Sequence, residues 1–288
     1  MQPVSARHFS FTVAPEDATL RLDQLLAKRV PGLSRRTARK VLQIGGVFVE
    51  RARVKFASKC IQPGRKVEVN LGAALEEVLA AQKTQPPPLD IVHEDEHLLV
   101  VDKPAQLMTA PTRETDRHNL LHYLQERPSS PELHLVHRLD HGTSGLLVLA
   151  KTPHAARELS EAFRAHSLER VYRTVLLGDL SEAHTVDAPV EGRPARTSFV
   201  PVEHKAGLTL AEARLETGRT HQVRVHAQHM GHPVLGDRRY GRATDADPPR
   251  LALHARVLGF SHPSTGQTLR FERDWPPDLA QWWQALPQ

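Results

Sequence analysis

The segment at residues 137–151, HRLDHGTSGLLVLAK, constrains the fold of this chain more than any other stretch. Its apolar part, residues 146–150, predicts a buried strand, and Asp140 lies just before Gly142 and Gly145, which allow sharp backbone turns. A rigid strand is therefore expected to hold one carboxylate in place. The alternative is that Asp140 only caps the turn, which is a common role of aspartate in loops.

Length and cysteine content indicate an intracellular protein that needs no disulfide. The 288 residues are enough for one large domain and a small one, and Cys60 is the single cysteine. Residues 1–10 contain no apolar run of signal-peptide length, and no stretch approaches the roughly 20 apolar residues of a membrane span. We therefore expect a cytoplasmic protein that does not bind membranes.

The net charge of +5 is unevenly distributed. Residues 1–72 contain 14 Lys and Arg against 5 Asp and Glu, whereas residues 73–288 contain 24 against 28. A compact basic segment attached to a slightly acidic body is typical of a module that binds polyanions, because neutralising phosphates releases counterions. A merely solvated surface is the alternative.

Two helices are predicted in the basic segment. Apolar residues at helical spacing predict the first over residues 22–30, and Pro31-Gly32 ends it. Ser34 stands at the N-cap of the second helix, and Gly45 ends it. The second helix separates an apolar stripe from a cationic face. The stripe contains Ala38, Val41 and Leu42, and the face contains Arg35, Arg36, Arg39 and Lys40.

Short strands follow, at residues 47–49 and, after a Pro63-Gly64 turn, at residues 66–69. Together with Arg21-Leu22-Asp23 and Ser34-Arg35, this order resembles the small αL-type (ribosomal protein S-four-like) RNA-binding domain. The resemblance covers residues 18–72 and implies that structured RNA binds to the cationic helix face. That family has a tight Asn-Gly after the first strand, whereas this chain has Glu50-Arg51-Ala52, which predicts a longer hairpin.

A change of composition marks a domain boundary. Residues 73–88 are rich in Ala, Leu and Glu and end in a proline run that is extended and semi-rigid. We predict an N-terminal extension at residues 1–17, the RNA-binding domain at 18–72, a linker at 73–88 and a larger domain at 89–288. A proline-rich surface loop within one continuous domain is the alternative.

Several motifs follow in the larger domain. Two apolar strands with an acidic turn between them predict a hairpin that ends in Lys103-Pro104-Ala105. This ending and the block at residues 137–147, His-Arg-Leu-Asp-His-Gly-Thr-Ser-Gly-Leu-Leu, resemble the RluA-type family of pseudouridine synthases. Further blocks appear in family order at residues 169–178, 215–226, 231–241 and 253–255. Residues 187–198 are shorter than in relatives, which leaves substrate contacts from that loop open.

The resemblance implies an α+β domain with a mixed, largely antiparallel sheet that isomerises uridine to pseudouridine in RNA. This reaction breaks the glycosidic bond at N1 and joins C5 to the ribose without oxidation or hydrolysis, so we expect no cofactor and no metal. A carboxylate is needed beside the anomeric carbon, and Asp140 is the candidate. Whether it adds to that carbon or removes a nearby ribose proton is left open.

Three further residues are candidates for this site. Arg224 is expected to pair with Asp140, because a carboxylate away from water needs a cation to stay ionised. Tyr172 offers an aromatic face for the detached uracil, and its phenol is a weaker candidate to accept the C5 proton. The resemblance implies that Arg138 fills the space left by the everted base, with a surface salt bridge as the alternative.

Other site types are less well supported. The histidines His221, His226, His229 and His232 lack metal-site spacing and are expected to pack and to contact the RNA backbone. The segment Gly142–Gly145 is one residue short of a hydrolase nucleophile elbow, and no phosphate-binding loop occurs.

The expected partner is RNA. We favour large-subunit ribosomal RNA, with transfer RNA as the alternative, and a monomeric protein. A catalytically idle RNA-binding or ribosome-assembly factor is the alternative function.

Overall fold

The computed structural model describes residues 7–72, 88–112, 119–128, 130–244 and 246–287. These residues fall into two compact units, the first within residues 1–86 and 110–126 and the second within residues 87–109 and 127–288. None of the helices in the described ranges is long and apolar enough to cross a membrane. The predicted linker at residues 73–88 lies outside the described residues except for Pro88, so its limits stay a prediction.

The helices of the described residues are α1 (Leu22–Arg29), α2 (Arg35–Gln43), α3 (Leu120–Gln125), α4 (Pro153–Ala165), α5 (Gln222–His229) and α6 (Pro277–Ala285). The strands are β1 (Arg7–Thr12), β2 (Val47–Val49), β3 (Ala52–Arg53), β4 (Lys66–Leu71), β5 (Asp90–Glu94), β6 (Leu98–Lys103), β7 (His134–Leu135), β8 (Ser144–Ala150), β9 (Glu169–Leu177), β10 (His184–Asp187), β11 (Arg196–Lys205), β12 (Leu208–Leu215), β13 (Leu253–Ser261) and β14 (Thr268–Glu272).

The first unit contains α1, α2 and an antiparallel sheet of order β1-β4-β2-β3. Its core combines the apolar stripes of both helices with the inward side chains of β2 and β4. The side chain of Ser34 accepts a hydrogen bond from the backbone N–H of Thr37, so the predicted N-cap is confirmed. Gly45 follows the helix with φ +81°, a conformation that glycine adopts without steric cost.

The sheet of this unit begins earlier than the sequence indicates. Strand β1 lies within residues 1–17, which the sequence analysis placed in an extension outside the domain, yet it pairs with β4 along its length. Side chains of a strand alternate between the two faces of the sheet, so Phe9 and Phe11 lie on one face, where they pack against the core of the unit. This packing explains why β1 joins the sheet. A six-residue strand with two aromatic residues on one face is therefore part of this sheet.

The hairpin between β2 and β3 corrects another expectation. Val49 pairs with Ala52, so the connection is the two residues Glu50 and Arg51 and is not longer than in the family pattern. Both residues have positive φ, +49° and +68°, which a tight primed turn requires. The cost of the positive φ at Glu50 is offset in part, because its carboxylate accepts a 2.7 Å hydrogen bond from the backbone N–H of Lys66.

The second unit is built on a mixed sheet. Its main strand order is β10-β11-β12-β9-β13-β8-β6-β5, with β14 beside β13 and β7 beside β8. Only β8 and β13 pair in parallel among the described strands of this sheet, and the other pairs are antiparallel. The predicted α+β class with a largely antiparallel sheet is confirmed, as is the β5–β6 hairpin.

Helices cover this sheet and bury its central strands. Helix α4 packs on β6, β8 and β13, α5 packs on β9, β11 and β12, and α6 covers parts of β9 and β12. Every residue of β8 is buried, as expected for an apolar strand covered on both faces. At its start, Gly145 has φ +115°, and a Cβ there would lie 2.3 Å from the carbonyl oxygen of Ala255. Close pairing of β8 with β13 therefore needs glycine at this position.

Candidate active site

Asp140 lies on the turn that leads into β8, and hydrogen bonds fix the chain on both sides of it. The hydroxyl of Thr109 donates to the carbonyl oxygen of Leu139 at 2.8 Å and accepts from the Leu139 N–H at 3.2 Å. The turn itself closes through a 3.1 Å hydrogen bond from the Thr143 N–H to the carbonyl oxygen of Asp140. Because the backbone closes the turn, the Asp140 carboxylate is available for other contacts.

Arg224, on α5, makes the predicted contact with this carboxylate. Its Nη1 donates to Asp140 Oδ2 at 3.0 Å, across 84 residues of sequence. Side-chain exposure is 21% for Asp140 and 11% for Arg224, so the pair is largely shielded from water. Low exposure strengthens the attraction between the two charges.

Asp237 holds the other side of the same guanidinium, and the sequence analysis assigned it no role. Arg224 Nε and Nη2 donate to its two oxygens at 2.6 and 2.9 Å. Backbone N–H groups of Arg239 and Tyr240 also donate to it. Burial acts to raise the pKa of Asp237, but these hydrogen bonds hold it below its ordinary value. In the sequence, the Gly236-Asp237 pair stands out only as part of a family block.

His221 closes the site from a third direction. Its Nε2 lies 3.7 Å from Asp140 Oδ1, the oxygen that Arg224 does not bind. Its Nδ1 is 3.0 Å from the hydroxyl of Tyr240, whose ring lies 5.0 Å from the Arg224 guanidinium. His221 has φ +57°, a strained conformation for a residue other than glycine. This residue is one of the histidines expected from the sequence to pack and to contact the RNA backbone, and its contact with Asp140 was not predicted.

Tyr172, on β9, lines the same cavity of about 550 Å³ as Asp140, Arg138 and Arg224. Burial raises the pKa of its phenol to about 12. The hydroxyl therefore keeps its proton near neutral pH, which makes it a poor proton acceptor. Its ring remains suited to stacking.

Arg138 is exposed and lines the cavity two residues before Asp140. Within the described residues it makes no ion pair, so the alternative of a surface salt bridge has no support there. An exposed cation beside the turn that carries Asp140 fits the role that the family resemblance implied.

The cationic face of α2 is partly neutralised by its own unit. Arg39 and Arg35 donate to the buried carboxylate of Asp23 at 2.7 and 3.3 Å. In the described part of the chain, Arg36 and Lys40 make no ion pair. Of the four predicted RNA contacts, these two are the cations without a carboxylate partner.

Two basic groups near the site, the half-buried His137 and the buried Lys103, have structural roles. His137 Nε2 accepts a 3.0 Å hydrogen bond from the Val148 N–H, and burial followed by the charge of Arg170 lowers its pKa to about 3. Lys103 Nζ donates to the carbonyl oxygens of Pro104 and Leu107, each at 2.8 Å. Burial lowers the pKa of Lys103 to about 7, against the opposing charge of Asp140.

The histidines considered as metal ligands bond separately. His226 lies between the hydroxyl of Thr197 and the carbonyl oxygen of Ala188, each at 2.9 Å, and His232 Nδ1 is 2.9 Å from the carbonyl oxygen of Leu177. No group of three or more metal-binding side chains occurs in the ranges that the structure covers. These contacts fit the packing role expected of the two rings.

This fold, with Asp140 on the turn before β8 paired to Arg224 on α5, defines a class of protein: the chain belongs to the RNA pseudouridylate synthase family, whose model matches residues 97–229. It is 36% identical to the ribosomal large subunit pseudouridine synthase D of Nitrosomonas europaea, over 96% of this chain and 87% of that protein. The enzyme of the same name from Yersinia pestis is 34% identical, over 96% and 94%.

Solved structures agree with this membership. Human RNA pseudouridylate synthase domain containing 1 is 27% identical, with a TM-score of 0.59 over 70% of this chain and 90% of that one. Human RNA pseudouridylate synthase domain containing 4, at 23% identity and a TM-score of 0.57, shares the fold. The protein is an RNA pseudouridine synthase, and its substrate is RNA.

Proposed function

We propose that this enzyme isomerises uridines in large-subunit ribosomal RNA, and that Asp140 acts at the anomeric carbon of an everted nucleotide. The observation that carries the proposal is the Asp140 carboxylate, held by Arg224 in a cavity that Tyr172 also lines. The cavity volume, about 550 Å³, lies in the range of small-molecule sites and suits a single nucleoside.

The proposed chemistry balances without a further reactant. The bond between N1 and C1′ breaks, uracil turns over, and a bond forms between C5 and C1′. The C5 proton is lost, and N1 gains one. Asp140 either adds to C1′ or removes the C2′ proton, and the hydrogen bond from Arg224 positions the carboxylate for both routes. Tyr172 stacks on the freed ring, which aromatic contact stabilises by roughly 1–3 kcal/mol while allowing rotation in its plane.

Ribosomal RNA is favoured over transfer RNA by the names of the relatives, because those that match nearly the whole chain are named as large-subunit ribosomal enzymes. In the described part of the first unit, α2 presents cations without an ion-pair partner, which suit a structured RNA of either kind. All the proposed catalytic groups come from one chain, so we also propose a monomer, which light scattering after size exclusion tests. A cytoplasmic location stays a prediction.

Tritium release tests the catalytic proposal. RNA tritiated at uridine C5 should lose tritium to water with the wild-type enzyme and not with Asp140→Asn. Asp179→Asn, an exposed carboxylate of the same unit, is the matched control and should release tritium normally. Equal release from the wild type and Asp140→Asn would overturn the role of Asp140, and no release from the wild type would support the idle RNA-binding factor instead.

Mapping of pseudouridine tests the target. Ribosomal RNA from a deletion strain should lack one or more pseudouridines, and the wild-type gene should restore them whereas Asp140→Asn should not. Loss confined to transfer RNA would overturn the ribosomal assignment and leave the chemistry in place.

A further inference from the structure

Arg170 is a buried cation in the wall of the active-site cavity. It lies on β9 two residues before Tyr172, so both side chains leave the same face of the sheet, about 7 Å apart along the strand. Both line the cavity that contains Asp140. Arg170 is 8% exposed, which is rare for arginine without a charged partner.

No carboxylate compensates this charge within the described residues. Arg170 Nη2 donates to the carbonyl oxygen of Glu216 at 3.3 Å, and the buried Nε has no hydrogen-bond partner there. Its guanidinium also lies 5.8 Å from the ring centre of Phe163. Arg173, on the same strand, shows the usual arrangement, because it pairs with the carboxylate of Glu212 at 3.2 Å. An unpaired buried cation is costly unless a ligand supplies the anion.

Other basic side chains line the cavity with Arg170, namely Arg164, His166 and Arg219. Burial, and then the charges of Arg170 and Arg219, lower the pKa of His166, so its neutral ring lies close to both guanidinium groups. Arg219 uses Nε for the carbonyl oxygen of Pro194, which leaves its two terminal nitrogens for other contacts. Asp140 is the one carboxylate among the described residues of the cavity wall, and Arg224 already binds it.

We propose that Arg170, with His166 and Arg219, forms a subsite that binds a phosphodiester of the RNA next to the everted uridine. The proposal rests on the proposed function, since it assumes that Tyr172 faces the uracil. One sugar separates a base from its phosphate, and a similar gap separates Tyr172 from Arg170 along β9. Guanidinium groups bind phosphates with paired hydrogen bonds, and a phosphate would relieve the repulsion between Arg170 and Arg219 while accepting a hydrogen bond from the His166 ring.

Stability gives a first test that separates a binding role from a structural one. Arg170→Met removes an uncompensated buried charge and keeps an apolar side chain on the ring of Phe163. The free variant should therefore melt at the same temperature as the wild type or higher. A clearly lower melting temperature would show that Arg170 supports the fold, and would overturn the proposal.

RNA affinity at several salt concentrations is the second test. With an RNA fragment that contains the mapped uridine, Arg170→Met should reduce the slope of log affinity against log salt by about 0.7–0.9. Arg170→Lys should keep most of that slope. Arg157→Met is the matched control, because Arg157 is an exposed cation of α4 bonded to Glu158, and its slope should equal that of the wild type.

Synthetic RNA locates the phosphate. A neutral methylphosphonate at one linkage beside the target uridine should weaken binding to the wild type and leave binding to Arg170→Met unchanged. If Arg170→Met lowers kcat while the salt slope stays at the wild-type value, Arg170 acts on the uracil and the phosphate assignment is wrong. If the wild type releases no tritium but Arg170→Met still has a reduced slope, the subsite stands and the proposed function fails.

Gly218→Ala tests the position of the Arg170 guanidinium separately from the loss of its charge. A Cβ at residue 218 would lie 2.5 Å from Arg170 Nη1, so the variant displaces the guanidinium and retains its charge. It should weaken RNA binding several-fold without a change in melting temperature. Unchanged affinity in Gly218→Ala would overturn the proposal.

Discussion

Replacing Asp237 by Asn should destabilise the enzyme far more than the same change at Asp140. Both carboxylates bind Arg224, but their surroundings differ. Asp237 has a side-chain exposure of 0% and accepts two hydrogen bonds from the guanidinium, whereas Asp140 is 21% exposed and accepts one. In Asp237→Asn, an amide N–H group meets the guanidinium, and the largely buried Arg224 loses most of its compensation.

The magnitude follows from these burials. Removing one partner of a buried ion pair costs about 3–5 kcal/mol, and Asn keeps the volume and one oxygen, so we expect about 3 kcal/mol. For a domain of this size that corresponds to a melting temperature lower by about 6–12 °C. In Asp140→Asn the guanidinium remains paired with Asp237, and we expect a loss of about 1 kcal/mol or less.

The two variants should rank in the opposite order when activity is measured, with Asp140→Asn losing more activity than Asp237→Asn. Asp140→Asn should abolish tritium release in a folded protein, whereas Asp237→Asn should retain a reduced kcat at temperatures where it is folded, because Arg224 is no longer fixed against Asp140. Urea unfolding and single-turnover tritium release measure the two effects separately. If Asp237→Asn is as stable as the wild type, or less destabilised than Asp140→Asn, the inference that Asp237 anchors Arg224 is wrong.

Three further outcomes are expected. Arg51→Gly should raise the free energy of unfolding by about 0.5–1 kcal/mol by relieving a positive φ, while Arg51→Ala should give no gain in urea titrations. Neutralising Arg36 and Lys40 together should flatten the salt dependence of RNA binding by about 0.7–0.9 for each phosphate that the variant no longer binds, and an unchanged slope would place the RNA elsewhere. The lowered pKa of Lys103 means that the unfolded chain holds this proton above pH 7, whereas the folded protein has released it. From pH 7 towards 10, the wild type should therefore gain up to about 1.4 kcal/mol per pH unit relative to Lys103→Met, and parallel pH profiles would contradict this.

Local features of the fold were predictable because short-range chemistry determines them. The N-cap at Ser34, the glycine after α2, the β5–β6 hairpin and the buried strand β8 all depend on neighbouring residues. The failures concern features that depend on pairing between strands. Glu50 and Arg51 form a tight turn against their own preference because both flanking strands are paired in the sheet, and β1 was missed because its partner lies some 60 residues away.

The site was predictable only in part. Asp140 and Arg224 could be paired from the sequence because a shielded carboxylate needs a cation and the family pattern supplies both. The roles of Asp237, His221 and Arg170 could not be predicted in this way, since an aspartate, a histidine and an arginine in a motif have many ordinary roles.

The order of residues alone determined the acidic turn before an apolar strand, the basic segment near the N-terminus and membership of a family of uridine isomerases. Tertiary structure decided which charges meet. It placed Asp237 against Arg224, paired two of the α2 cations with Asp23, and buried Arg170 with no carboxylate partner among the residues that the structure describes. The reason is physical. The interaction energy of a charge depends on its distance to other charges and on its exposure to water. Folding sets these distances between residues that lie far apart in the chain.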